Sequence, residues 1–150
     1  KILPKESAVV MADRLRIEQV LINLLRNAID AVKASENPEI VVSINSSDDI
    51  VLSVRDNGVG LSDLDTLFEP FHTTKPAGDG VGLGLAISSG ILSELDGRLT
   101  ARNAAAGGAV GPIQWDGSVV HTHEPEVVLG ALLLARGLGC RRRHFNSISF

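Results

Sequence analysis

The chain has very little cysteine and no long apolar run, and both shortages exclude classes of protein. Cys140 is its only cysteine among 150 residues, so no intrachain disulfide can form and nothing indicates a secreted disulfide scaffold. The longest apolar stretch outside the motifs covers residues 127–134, is interrupted by Gly130, and is far shorter than the ~20 residues of a membrane-spanning helix. Residues 1–6 lack the apolar region of a signal peptide. We therefore expect no direct membrane contact from this chain, with any anchor of a membrane-bound parent outside it.

The chain also lacks the positive charge that nucleic-acid binding requires. Its formal net charge is -4, so no electrostatic footprint for nucleic acid is expected. Apolar residues make up 44% of the chain and charged residues 21%, which is typical of a folded domain with an apolar core. The length predicts one domain, and any bound polyanion must be held by local geometry.

The hydrophobic pattern predicts two helices and several strands. Apolar residues at helical spacing predict a helix over residues 15–32, with Asp13 as its N-cap. Branched residues predict strands at 40–44 and 50–54, joined by a turn at 46–49. A second helix is expected over residues 87–95, closed by Gly97, and a further strand over 98–102. The polar, glycine-rich stretch 61–80 predicts a long mobile loop of the kind that forms functional lids.

Asn23 and Asn27 are four residues apart on the first predicted helix and therefore share one face. Their apolar neighbours place the two amides at the border of the core. A side-chain carbonyl there can ligate Mg²⁺, which prefers oxygen donors. Two helix-surface asparagines without a role are the alternative interpretation.

Two glycine-containing segments follow the strands. The stretch DNGVG at residues 56–60 begins with Asp56, whose carboxylate can accept a hydrogen bond from an exocyclic amine of a flat ligand, although an ordinary turn is the alternative. The stretch GVGLG at residues 80–84 runs into the second helix and predicts a phosphate cradle at its N-terminus. It is neither a Walker A loop nor a dinucleotide fingerprint.

The order of these segments carries a specific resemblance. NLLRNA at residues 23–28, DNGVG at 56–60, FEPF at 68–71 and GVGLG at 80–84 are similar to the N, G1, F and G2 boxes of histidine kinases in the GHKL superfamily. The stretch FEPFHTTK at 68–75 is similar to sensor kinases of the C4-dicarboxylate-sensor type. The resemblance covers roughly residues 8–110.

By this resemblance the fold is an α+β two-layer sandwich (the Bergerat or GHKL fold), with helices on one face of a mixed sheet and ATP between the layers. Asn27 is implied to ligate Mg²⁺, with Asn23 as a phosphate-side or metal-side partner, and these two are the implied catalytic residues. Asp56 is implied to bind the adenine amine, with Gly58 and Gly60 shaping the base pocket.

The resemblance also implies a lid over residues 68–80 and a phosphate contact from Lys75. The complete set of residues implied to contact the nucleotide is Asn23, Asn27, Asp56, Gly58, Gly60, Phe68, Phe71, Thr74, Lys75, Gly80, Gly82, Leu83 and Gly84.

The implied function is that of the catalytic domain of a two-component sensor histidine kinase. Such a domain transfers the γ-phosphate of ATP to a histidine on a dimerisation domain and thereby serves a response regulator. Hydrolysing relatives carry a water-activating glutamate where this chain has Asn23, and an amide cannot act as the base. Glu18 lies more than a turn earlier. A GHKL-type ATPase and a catalytically inert nucleotide-binding module remain the alternatives.

The acceptor histidine is expected outside this chain. His123 and Glu124 imitate the family's acceptor motif, but Pro125 directly after them interrupts a helix. His72 is interpreted as structural or as a nucleotide contact. His121 and His123 have no further ligands near them in sequence, so a metal site is not expected there. The chain is therefore expected not to phosphorylate itself unaided.

The C-terminal part departs from the family pattern. The family ends with a glycine-rich turn and a final strand, and here Gly111, Pro112 and Ile113 are expected to replace that strand. The predicted domain therefore covers residues 1–110, with its N-terminal strand clipped at Lys1. Residues 111–150 are an unassigned tail, either divergent or frame-shifted. A frame shift predicts that another frame of the coding DNA restores a strand containing phenylalanine.

Overall fold

The computed structural model of the chain describes residues 12–46, 49–73, 81–115 and 148–149. Within these residues, two helices cover one face of a mixed sheet, which is the two-layer α+β arrangement expected from the resemblance. The apolar core lies between the two layers. No helix in these residues is long and apolar enough to cross a membrane.

Helix α1 spans Arg14–Ala31 and begins where the sequence predicts. The Asp13 carboxylate accepts hydrogen bonds from the backbone N–H groups of Leu15 at 2.9 Å and Arg16 at 3.2 Å, which confirms it as the N-cap. The residues of α1 that face the core repeat every three or four positions, as an amphipathic helix requires. They are Ile17, Val20, Leu21, Leu24, Leu25 and Ala28.

Strands β1, Ile40–Ser46, and β2, Ile50–Asp56, form an antiparallel hairpin in which Ile44 is opposite Leu52. Both strands extend two residues beyond the predicted ends. Alternate residues of β2 are buried from Ile50 to Asp56, because successive side chains of a strand point to opposite faces. Asp56 therefore shares the helix-facing side of the sheet with the core residues Leu52 and Val54.

The remaining strands complete the sheet around β5. Strand β3 spans Gly97–Leu99, β4 spans Arg102–Asn103 and β5 spans Ala109–Trp115. Strand β5 lies between β2 on one side and β3 and β4 on the other, and all of these pairs are antiparallel. Strand β6, Ile148–Ser149, pairs with β1 in parallel and makes the sheet mixed.

The expectation that residues 111–113 replace the last strand of the domain is wrong. They form the middle of β5, with Ile113 opposite Leu52 and fully buried. The carbonyl of Pro112 accepts a hydrogen bond from Thr100 at 3.1 Å, in the gap between β3 and β4. The N–H and C=O of one strand residue point to the same side, so the missing proline donor also falls in this gap. Residues 111–115 therefore belong to the folded sheet, and the unassigned tail stays a prediction only beyond Trp115, because residues 116–147 and 150 lie outside the described residues.

Helix α2 spans Gly84–Glu94 and starts three residues before its predicted first turn. It packs on α1 and β3 through Ile91 and Leu92. The residue in the left-handed conformation after the helix is Asp96, with φ 54°, and not the predicted Gly97. Gly97 has a different role, because a Cβ placed there would lie 2.7 Å from Nε1 of the buried Trp115. The predicted strand at 98–102 is divided into β3 and β4.

Several predictions fall on residues that the structure does not describe. They concern the clipped strand in residues 1–11, the tip of the hairpin at residues 47–48, and the central part of the predicted lid at residues 74–80. Thr74, Lys75 and Gly80 belong to this group, as do His121, His123 and Cys140.

The contact between Gly97 and the Trp115 indole yields a first prediction. Gly97→Ala should lower the free energy of unfolding by about 1–3 kcal/mol, because the added methyl group overlaps a packed core side chain. Urea denaturation followed by circular dichroism measures the change.

Gly90→Ala is the matched control, because Gly90 lies in α2 with nothing within 4 Å of a Cβ at that position. This substitution should stabilise the fold by roughly 0.5–1 kcal/mol. Equal effects of the two substitutions would contradict the packing of Trp115 against Gly97.

Candidate functional site

A cavity of about 880 Å³ lies between the two layers, at the end of β2 that carries Asp56. Its wall includes residues from α1, from the segment after β2 and from the start of α2. Seven of the residues predicted from sequence line it, namely Asn23, Asn27, Asp56, Gly60, Gly82, Leu83 and Gly84. Segments that are distant in sequence thus meet at one site.

Asp56 provides a buried carboxylate in which one oxygen accepts backbone hydrogen bonds. Its Oδ1 accepts hydrogen bonds from the backbone N–H groups of Gly58 at 2.9 Å and Ala109 at 3.2 Å. Only 6% of the residue is exposed. Among the described residues, no donor contacts Oδ2. Because Asp56 lines the cavity, this second oxygen can accept a hydrogen bond from a ligand.

Gly58 was predicted to shape the base pocket, but the structure places it elsewhere. It does not belong to the cavity wall, and a Cβ at this position would overlap the backbone carbonyl of Ala31 at the end of α1. The neighbouring Val59 N–H donates to the same carbonyl at 3.3 Å. Gly58 therefore lets the turn after β2 approach α1, and Gly60, with φ 77°, is the glycine of this turn that faces the cavity.

Asn23 connects the two helices. Its Nδ2 donates to the carbonyl of Gly84 at 3.2 Å and to Oγ of Ser88 at 3.1 Å. The Gly84 carbonyl can only accept, so the orientation of the amide is determined. This leaves Oδ1 as the side-chain atom without a partner among the described residues. Asn23 thus positions the start of α2 and presents an oxygen ligand at the cavity.

Asn27 lies one turn after Asn23 and lines the same cavity, and so does the exposed Arg26 between them. Arg26 has no ion-pair partner among the described residues, whereas Lys33 pairs with Asp30 at 2.7 Å. Arg26 was not among the site residues predicted from the sequence. Its spacing of three residues from Asn23 was the available signal, because residues at i and i+3 are neighbours on a helix surface.

The N-terminus of α2 faces the cavity without a capping side chain. Leu83 is the N-cap residue and makes no side-chain cap hydrogen bond, so the first N–H groups of the helix are available to an anion. Gly82 precedes it with φ 70°, and a Cβ there would lie 2.6 Å from the carbonyl oxygen of His72. The Gly82 carbonyl accepts the N–H of Phe71 at 2.9 Å. Phe71 and His72, in the described part of the predicted lid, therefore contact Gly82, which follows the lid in the chain.

The phenylalanines of the FEPF segment do not line the cavity, unlike the prediction. Phe68 is partly buried and packs against the core. Phe71 has φ 67° and is 71% exposed. His72 does line the cavity, and its ring contacts Oγ1 of Thr66 at 3.2 Å. Only His72 of these three side chains is placed to contact a ligand there.

Two further polar residues that support the site were missed in the sequence. Ser88 is fully buried and accepts the hydrogen bond of Asn23. Asn103 binds the backbone of Leu61 through both atoms of its amide. A serine among the apolar residues of α2 was a signal for the first. No sequence pattern indicated the second, because the contact joins residues 42 positions apart.

The donor set is suited to a magnesium ion that a ligand brings with it. The described residues contain no group of three or more His, Cys, Asp or Glu side chains that could hold a metal by themselves. Mg²⁺ is commonly bound through one or two protein oxygens together with substrate phosphates and water. The side-chain carbonyls of Asn23 and Asn27 fit this requirement.

Comparisons with known proteins agree with this geometry. The model of the family of histidine kinase-, DNA gyrase B-, and HSP90-like ATPases matches residues 12–120. The C4-dicarboxylate transport sensor protein DctB of Rhizobium meliloti is 43% identical over 108 residues, which are 70% of this chain and 17% of that protein. The expected likeness to sensors of this type is thus confirmed.

Two solved structures are similar in fold. The catalytic domain of histidine kinase ThkA is 35% identical with a TM-score of 0.60, and the match covers 71% of this chain and 70% of that one. Full-length ShkA in complex with AMPPNP is 26% identical with a TM-score of 0.63, over 77% of this chain and 24% of that one. The chain spans less than a fifth of the length of DctB.

The contact between Gly82 and His72 yields a second prediction. Gly82→Ala should destabilise the fold by about 1–3 kcal/mol, because it combines a left-handed backbone with a close contact to the His72 carbonyl. Thermal and urea unfolding measure this loss.

Gly84→Ala is the control within the same segment. A Cβ at Gly84 would have its nearest neighbours at 3.7 Å or more, in ordinary contact with Asn23. We expect this variant to remain within about 0.5 kcal/mol of the parent or to be more stable. A Gly82→Ala variant as stable as Gly84→Ala would show that Gly82 does not join the two segments.

Proposed function

Because the chain belongs to the family of histidine kinase-, DNA gyrase B-, and HSP90-like ATPases, and within it to the catalytic domains of histidine kinases, we propose that it binds ATP with Mg²⁺ and donates the γ-phosphate to a histidine on another domain. One observation carries this proposal. A buried carboxylate, an uncapped helix N-terminus and two asparagines line one cavity between helices and sheet.

Asp56 is proposed to recognise the base. Its Oδ1 is held by two backbone N–H groups, which leaves Oδ2 to accept the exocyclic amine of adenine. A hydrogen bond to a charged acceptor is worth about 1.5–3 kcal/mol. Gly60 lines the cavity next to Asp56, and its lack of a Cβ leaves room for Asn103, because a Cβ there would lie 2.9 Å from Oδ1 of that residue.

The opposite part of the cavity is proposed to bind the phosphates. The first N–H groups of α2 lack a side-chain cap and provide donors for phosphate oxygens. Arg26 contributes a cation at the edge of the cavity. Asn27, together with Oδ1 of Asn23, would hold Mg²⁺, which neutralises charge on the phosphates when it is bound. Gly80, Thr74 and Lys75 stay predicted contacts.

Phosphoryl transfer is favoured over hydrolysis because α1 carries no carboxylate one turn before Asn27. Asp30 lines the cavity, but it follows Asn27 and forms an ion pair with Lys33 at 2.7 Å. Glu18 is engaged by Arg14 at 2.9 Å and does not line the cavity. Asn23 occupies the place one turn before Asn27, and its amide cannot accept a proton as a base. The protein residues therefore orient and stabilise the phosphates, and the acceptor histidine itself supplies the nucleophile.

The partners follow from this reaction. We propose that the acceptor lies on a dimerisation domain of the parent kinase and that a response regulator receives the phosphate afterwards. The chain would act in the cytoplasm, as the nucleotide-binding part of a membrane-bound sensor. The overlap with DctB, a transport sensor protein, supports this assignment.

Titration with a fluorescent ATP analogue, with and without Mg²⁺, tests nucleotide binding directly. Addition of a separately purified dimerisation domain should then yield phosphohistidine. Binding without transfer to any such domain would instead indicate an inert nucleotide-binding module. Steady phosphate release without an acceptor would indicate an ATPase.

The role of Asn27 yields a third prediction. Asn27→Ala should weaken binding of Mg²⁺-ATP by about tenfold, which corresponds to ~1.4 kcal/mol, because it removes an oxygen ligand of the metal. Calorimetric titration in Mg²⁺ and in EDTA measures the two affinities. The loss should be confined to the Mg²⁺ condition.

Asn45→Ala is the matched control, since Asn45 is exposed on β1, outside the cavity. It should bind Mg²⁺-ATP as the parent chain does. Unchanged affinity of Asn27→Ala in Mg²⁺ would remove this residue from the metal site.

A further inference from the structure

We propose that Asn103, outside the cavity, is a positioning residue that sets the preference of the site for adenine over guanine. The turn between β4 and β5, residues 104–108, would act with it as the second half of the base pocket. This inference rests on the proposed function of the cavity as an ATP site. The observations behind it are the hydrogen bonds of Asn103 to Leu61 and of Ala109 to Asp56.

The first set of contacts holds the chain directly after Gly60. Oδ1 of Asn103 accepts the N–H of Leu61 at 2.7 Å, and its Nδ2 donates to the Leu61 carbonyl at 2.9 Å. The side-chain amide therefore bonds both the N–H and the C=O of Leu61, as the backbone of a neighbouring strand would. Leu61 lines the cavity and Asn103 does not.

The second set of contacts holds the carboxylate. Within the turn, the N–H of Ala104 donates to the carbonyl of Gly108 at 2.9 Å, which closes the turn. Gly108 has φ 81°, and a Cβ there would overlap the backbone carbonyl of Asp56. The next residue, Ala109, donates its N–H to Oδ1 of Asp56 at 3.2 Å.

One turn thus connects two parts of the cavity wall. The Asp56 carboxylate is oriented at one end of the turn, and the Gly60 to Leu61 backbone is held at the other. A shift of the turn changes the distance between the carboxylate and this backbone. Asn103 is exposed, so the two hydrogen bonds to Leu61 act on position more than on the packing of the core.

Base selectivity depends on this distance. Adenine has an amine, and guanine a carbonyl, at the ring position that would face Oδ2 of Asp56. A carboxylate held in one place accepts from the amine and repels the carbonyl, whereas a carboxylate that can move adapts to either ring. Rejection of guanine therefore requires that the carboxylate cannot move away from the guanine carbonyl.

The test compares ADP and GDP binding to the parent chain and to Asn103→Ala by calorimetric titration. The parent chain should prefer ADP. Asn103→Ala should lower the ratio of the two affinities by about fivefold, a partial loss of the hydrogen bond between the adenine amine and Oδ2 of Asp56, with ADP binding reduced and GDP binding reduced less or not at all. A purely structural role would weaken both nucleotides equally and leave the ratio unchanged.

Two further variants support the measurement. Asn103→Asp keeps the acceptor for the Leu61 N–H but cannot donate to the Leu61 carbonyl, so its ratio should also fall, without deletion of the side chain. Arg102→Ala changes the exposed neighbour on β4 and should keep the parent ratio.

The possible outcomes separate this inference from the proposed function. A parent chain that binds neither nucleotide would overturn the proposed function and the inference with it. A parent chain that prefers ADP, with the same preference in both Asn103 variants, would overturn the role of Asn103 and leave the ATP site intact. A lowered ratio in folded Asn103 variants, with Arg102→Ala unchanged, supports the role of Asn103.

Discussion

The site depends on the few positions at which a polar group is buried beside the apolar core and stabilised there by hydrogen bonds. Among the described residues, Asp56 and Ser88 are the only buried polar residues. Asp56 lines the cavity, whereas Ser88 does not and instead accepts a hydrogen bond from the cavity residue Asn23. Asp56 is held there by two backbone N–H groups, which offset the cost of taking a carboxylate out of water. Because one oxygen is sufficient for these bonds, the other is available to a ligand. The fold thus stabilises the buried carboxylate that the proposed recognition of the base requires.

Between the two helices, Ser88 is the buried polar group that holds a site residue in position. It accepts a hydrogen bond from Asn23, which also binds the Gly84 carbonyl, so α1 and the first turn of α2 have a determined relative position. Each such bond contributes about 1 kcal/mol, a small part of the stability of the domain. Its larger effect is geometric, because it places the proposed metal ligands of α1 beside the uncapped N–H groups of α2.

The sequence predicted the parts of this structure that local patterns determine. The periodicity of α1 and the Asp13 cap were sufficient to locate the first helix, and the alternation of β2 determines which way Asp56 points. The middle of β5 could not be predicted in this way, because Pro112 argues against a central strand. It is tolerated only since its nitrogen lies in the gap between β3 and β4, which is a property of the assembled sheet.

The candidate site shows the same division. Asn23, Asp56 and Gly82 were found from motifs and do lie around one cavity. Gly58 and Phe68 were also found from motifs, but the first contacts α1 and the second packs against the core. A motif identifies a segment, whereas the face that each residue presents depends on packing between layers. Contacts such as that between Asn103 and Leu61 arise only when distant segments meet.

The claim that one cavity holds the base, the phosphates and the metal is tested most directly by nuclear magnetic resonance of the isotopically labelled chain during titration with Mg²⁺ and AMPPNP. The account predicts saturable shifts that include the backbone amides of Gly60, Gly82 and Gly84 and the side-chain amide groups of Asn23 and Asn27. Shifts confined to the face of the sheet that carries Arg55, with these amides unchanged at saturation, would contradict it.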